Sequence, residues 1–147
     1  MKKIIMSVLA IGLLTITACN HTQKAVPHTV ASGYFVKNTY QDGQLKNPKI
    51  TTRETFEAYF GMAATMDGNG MPTPIDFDAQ YVIAVIGPES DRIPELEVVS
   101  LTQESDSITL EYRLNEKQEP ASFTSKPVLL LVVDKTHEGE VMIEQVE

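Results

Sequence analysis

His137 is the only histidine beyond residue 32, and it sits in the turn-like run His137-Glu138-Gly139. Hydrolytic chemistry needs a nucleophile, a base within hydrogen-bond reach and a group that orients the base. Serines are plentiful, yet a surface turn is the commoner home for such a histidine. Asp76 and Asp78 have the residue types for glycoside chemistry. They share a face only if a strand begins there, and nothing in the sequence requires a cleft around them. Asp67, Asn69, Asp76 and Asp78 could gather hard oxygen ligands for calcium. The glycine and closing glutamate of an EF-hand loop are missing, so a solvated turn is the favoured reading. His21 and His28 lie in a polar stretch where metal binding is rare. A phosphate-binding Walker loop, a dinucleotide fingerprint and an HExxH motif are absent. The expectation is a chain without catalytic residues, metal or cofactor.

One position does carry a chemical signature. Cys19 is the single cysteine, so no intramolecular disulfide and no multi-cysteine metal site can form. Before it come Lys2 and Lys3, an apolar stretch over 4–16, and Ile16-Thr17-Ala18-Cys19. The apolar stretch is short for a membrane span and has the layout of a secretion signal. The residues ending at Cys19 resemble the lipobox of bacterial lipoproteins. The resemblance implies removal of 1–18, lipidation of the Cys19 thiol and acylation of the new amino terminus. Several acyl chains anchor stably where one does not. An ordinary signal peptide with a chance cysteine is the alternative. Asn20, in place of the aspartate that favours inner-membrane retention, points to the outer membrane.

The chain has 147 residues, enough for one domain after the leader. Its net charge is −8, and Lys2 and Lys3 are the only charges before Cys19. Such acidity argues against nucleic acid and against adhesion to anionic lipid by charge. The reading is a signal peptide over 1–18, an anchor and flexible tether over 19–32, and one β-rich domain over 33–147.

Residues 75–87 organise that domain. The run 81–86 is continuously apolar, as expected of a central strand covered on both faces, and Gly87-Pro88 ends it. Asp76 is placed to bond backbone N–H groups at the entry to this strand. Residues 127–133 form a second such run, and a final strand over 141–146 is expected to pair with it. Ile108, Leu110, Tyr112 and Leu114 alternate with Thr109, Glu111 and Arg113, so one face is dry and one wet. That strand is expected to form a hairpin with 95–103, which places Leu96 and Val98 on one face and Val99 and Leu101 on the other. Residues 33–40 are rich in β-formers.

Thr51 and Glu54 match a capping box. Phe56, Tyr59, Phe60 and Ala63 follow at helical spacing and predict an apolar helix face over the sheet. A ligand-binding aromatic stripe is the alternative. Met62, Met66 and Met71 read as adaptable fillers or an exposed soft surface. The fold class is α+β, with about six mostly antiparallel strands curling into a sheet or half-barrel and one helix packed on it.

The loop Glu89-Ser90-Asp91-Arg92-Ile93 follows the central strand and is bracketed by Pro88 and Pro94. It is the candidate recognition edge, with Arg92 as a possible anchor. The helix with Phe56 and Phe60, then Pro74-Ile75-Asp76-Phe77, the strand 82–87, two further strands and Ser125-Lys126-Pro127-Val128 resemble the C-terminal domain of the protease-complex subunit PrcB family. The resemblance covers most of the exported domain. It implies a non-enzymatic role, assembling with or stabilising a surface protease. The family's loop after the central strand carries a Thr-Gly-Gly-Tyr-like element, and residues 89–94 depart from it. The sequence therefore suggests a lipid-anchored envelope protein that binds a protein or protease partner. A binder of small molecules or glycans, using the methionine loop and Tyr59, is the second reading, and a hydrolase centred on His137 the third.

Overall fold

The computed structural model describes residues 22–63 and 70–147. Cys19, Asn20, His21, Met66, Asp67 and Asn69 lie outside them. The expected lipidation position is therefore not described, nor is half of the suggested calcium set. Among the described residues no helix is long and apolar enough to cross a membrane.

The fold is α+β, built on two central strands, β6 (Gln80–Ile86) and β9 (Val128–Asp134). They pair antiparallel, from Gln80 opposite Asp134 to Ile86 opposite Val128. Side chains alternate across a strand, so a continuous apolar run supplies two dry faces. Tyr81, Ile83, Val85, Leu129, Leu131 and Val133 point to one core; Val82, Ala84, Leu130 and Val132 point to another. Short edge strands flank the pair: β2 (Thr29–Val30) beside β9 and β4 (Lys49–Ile50) beside β6.

The first core is closed by a second sheet. Its strands are β1 (Lys24–Ala25), β7 (Glu95–Glu104), β8 (Ser107–Asn115) and β10 (Glu140–Val146), in the order β1-β7-β8-β10. The second core is closed by α1 (Arg53–Tyr59) and a ribbon of β3 (Tyr34–Val36) and β5 (Phe60–Met62). The result is three layers: sheet, doubly covered sheet, and helix with ribbon. The sheets are open. The described residues contain ten strands, more than the six expected, because several are only two or three residues long.

Four local expectations are corrected. The stretch 22–32, read as part of a flexible tether, docks on the domain. Lys24 and Ala25 pair with Gln103 and Thr102, Thr29 and Val30 pair with Val132 and Leu131, and Val26 is only 3% exposed. One buried valine and two backbone pairings suffice to hold a segment that shows no apolar period. The helix starts one residue later than the capping box implied. Thr52 is the N-cap, and its hydroxyl accepts from the Thr55 N–H at 3.2 Å. The helix also stops at Tyr59, and Phe60 enters β5 in extended conformation, so Phe60 reaches the core from a strand.

The expected hairpin β7–β8 forms, but its facing is changed by a bulge at Val99. The extra residue shifts the alternation. Leu96, Val98 and Leu101 thereby all serve the core, and Val99 is left exposed. Finally, β10 does not pair with β9. Both edges of β9 are occupied, by β6 and β2, so β10 crosses to the other sheet and runs parallel to β8. The crossing passes over the β7–β8 turn, where the Glu140 N–H donates to the Asp106 carbonyl at 2.8 Å. Gly139 is needed there, since a Cβ would lie 2.7 Å from that carbonyl oxygen.

Candidate functional site

The loop 89–93 emerges from β6 and is tied at nearly every residue to 117–125. Ser90 and Ser125 exchange backbone hydrogen bonds at 3.0 and 2.9 Å. The Ala121 N–H donates to the Asp91 carbonyl and the Lys117 N–H to the Arg92 carbonyl, both at 2.7 Å. The Arg92 N–H donates to the Ser90 hydroxyl at 3.1 Å, and Arg92 Nη1 donates to the Gln118 carbonyl at 2.6 Å. The Thr124 hydroxyl donates to the Glu89 carboxylate. The five candidate residues thus form one side of a rigid ledge. Arg92 is exposed, but part of its guanidinium capacity serves the ledge itself.

Ile93 adopts φ +48°. Left-handed backbone is a real outlier for a β-branched residue and costs about 1–2 kcal/mol. Such strain persists only where neighbours over-determine it, and it clusters at functional sites. Here the flanking ties and buried Pro94 hold it. The sequence reading missed the ledge's other half. Phe123 is 59% exposed within the polar tract 115–125. A single phenylalanine between Ser122 and Thr124 was the available signal, and a lone apolar side chain in a polar loop is too common to stand out.

A second concavity lies between α1 and the ribbon. It has a volume of about 330 Å³ and an aromatic floor of Tyr34, Phe56, Phe60 and Phe77. Phe56 is the hub, with ring centroids of Tyr34, Phe60 and Phe77 at 5.1, 5.0 and 5.6 Å. Helical spacing places Phe56 inward, while Phe60 arrives from β5. Arg53 stands beside them, its guanidinium 5.6 Å from the Phe77 ring centre and donating to the Ile75 carbonyl at 3.2 Å. Lys37 donates to the Glu57 carbonyl. Burial pushes the Tyr34 phenol's pKa up and Arg53 pulls it partly back; its hydroxyl donates to the Thr73 carbonyl at 2.6 Å. This lining offers an apolar floor and a cation, a set suited to holding a ligand. Met62 also lines it, whereas Tyr59 packs instead against Tyr40 and Phe60.

The remaining sequence candidates are dispersed. His137 clasps the turn before β10: its ring nitrogen lies 3.3 Å from Gln103 Oε1, and its carbonyl accepts from the Tyr81 hydroxyl at 2.8 Å. Asp134 has its pKa held below the usual carboxylate range, first by the Thr136 backbone N–H. Asp76 accepts from the Asp78 N–H at 3.0 Å, shaping the entry to β6 as expected. His28 bonds the Val26 carbonyl. Among the described residues no three metal-ligating side chains gather. Comparison with known proteins returns no matching family model, no matching curated protein and no matching solved structure.

Proposed function

We propose that this chain is a lipid-anchored, non-catalytic binding module of the bacterial envelope, held at the outer membrane through Cys19. Its partner is a protein, engaged at the ledge formed by 89–93 and 117–125. The observation that carries the reading is the left-handed Ile93 held inside a cross-tied loop. A loop fixed before binding loses little conformational entropy on binding, which favours recognition of a preformed surface. Asp91 and Arg92 supply polar contacts there, and Phe123 supplies an apolar one. The resemblance to the PrcB-family domain points to an envelope protease as the partner class.

The test is a photo-crosslinking residue at position 123 in intact cells. One reproducible protein adduct, lost in Arg92→Ala, supports the ledge. An adduct pattern unchanged by that substitution removes it. Cys19→Ala should move the protein from the membrane to the soluble fraction, and unchanged fractionation would overturn the anchor. The aromatic cleft favours a second reading, in which an apolar carboxylate lies on Phe56 and Phe77 and pairs with Arg53. Thermal shift with aromatic and aliphatic carboxylates, repeated on Arg53→Gln, decides that reading separately.

A further inference from the structure

Protected edges are the rule in sheets, because an open edge offers unpaired backbone groups to any extended chain. Here three of the four edges of the main sheets are strands of two residues: β1, β2 and β4. The fourth is β10, seven residues long and paired on one side only among the described residues. It contains no proline, no lysine and no bulge against β8. Met142 and Ile143 are exposed on it, at 46% and 41%.

Two further observations describe what would fit. Along the inward side of β10 runs a cleft of about 380 Å³ whose lining includes Leu45, Val85, Tyr112 and Ile143. A strand added beside β10 would send alternate side chains toward that cleft, where Leu45, Val85 and Ile143 offer apolar contact and Lys46 stands as a cation that would repel inward lysine or arginine. The outward side is acidic. Strands β7, β8 and β10 together hold six glutamates against one cation, Arg113. Glu144 lies in register beside Glu111, a like-charge pairing that disfavours the fold. A second copy of β10 would add more glutamate and no cation. Lysine or arginine on the incoming strand would relieve the repulsion.

We propose that β10 is a strand-addition site for an extended basic segment of another protein, with apolar residues inward and lysine or arginine outward. This surface is separate from the ledge and does not depend on it. Backbone hydrogen bonds to the edge would supply affinity, and the alternating side chains would supply selectivity.

The probe is a fluorescein-labelled synthetic strand of alternating lysine and valine, titrated against the purified full-length protein by anisotropy. Saturable binding is expected, with amide NMR shifts confined to 140–146 and the strands beside it. Methylating alternate backbone nitrogens of the peptide should weaken binding at least about tenfold, because the edge bonds are lost. Glu144→Lys, at an exposed position that leaves the fold intact, should weaken it about tenfold through charge. Ile143→Lys, a natural form of edge protection, should abolish it. Equal affinity for the methylated peptide would overturn the proposal and leave a purely electrostatic contact. Shifts located elsewhere, or a protein already dimeric through β10, would overturn it as well.

Discussion

The strand pairs β6–β9 and β8–β10 each run seven residues in register, yet their surroundings differ. The first is antiparallel and dry on both faces, with Ile83 and Leu131 in one core and Val82 and Leu130 in the other. The second is parallel and dry on one face, where Ile108, Leu110 and Val141 meet the inter-sheet core. Its outer face carries Glu111, Arg113, Met142 and Glu144, and its outer edge is open among the described residues. The difference is one layer: α1 and the ribbon cover the first pair, and nothing comparable among the described residues covers the second. Stability concentrates in the pair between layers, and interaction surface remains on the pair at the outside.

The sharpest way to break this comparison is to truncate one side chain on each pair, a buried one on the first and an exposed one on the second. Ile83 is 0% exposed, and Ile83→Ala should cost about 3–4 kcal/mol in urea denaturation. Met142→Ala on the open pair should cost under about 0.5 kcal/mol. Comparable costs would mean that the outer face is covered in solution. Next in size is the crossover that separates the two pairs. Gly139→Ala forces a Cβ toward the Asp106 carbonyl and should cost about 2 kcal/mol.

A pH limb sharpens the contrast further. Burial pushes the Tyr81 phenol up to about 12 from 10.0. The folded value lies above the unfolded one, so the neutral phenol's contribution is complete below the lower value. It is lost as pH climbs from the unfolded toward the folded value. Denaturation midpoints should fall across that window, and Tyr81→Phe should flatten the fall. A small effect of opposite sign concerns the ledge. Ile93→Gly removes left-handed strain and should raise stability by about 0.5 kcal/mol, glycine's extra unfolded-state entropy offsetting part of the gain. A loss in stability there would show that Ile93 packing outweighs its backbone strain.

Much of the framework was legible because it is local. The continuous runs at 81–86 and 128–133 announced double burial, and the alternation over 108–114 announced a half-wet strand. The short polar stretch between that strand and 95–103, Ser105-Asp106-Ser107, suits the tight turn of the hairpin. Of the candidate site, the loop 89–93 was legible from its flanking prolines and its place after a central strand. Its brace at 117–125 was not, since Ser90 and Ser125 meet only because β6 and β9 lie side by side. The aromatic floor was half legible: Phe56 followed from helical spacing, whereas Phe77 joins it through the turn that enters β6.

By itself the sequence determined the α+β class, the two dry central strands, the hairpin and the absence of any possible intramolecular disulfide. Each depends on side-chain period, turn chemistry or residue count, which act over a few neighbours or need no geometry. Tertiary structure alone decided that 22–32 docks, that Val99 bulges, that Phe60 leaves the helix and that β10 joins β8. Those outcomes turn on which edges and cavities distant segments occupy in the folded chain. With β6 and β2 on the two sides of β9, the last strand pairs instead with β8 in the other sheet.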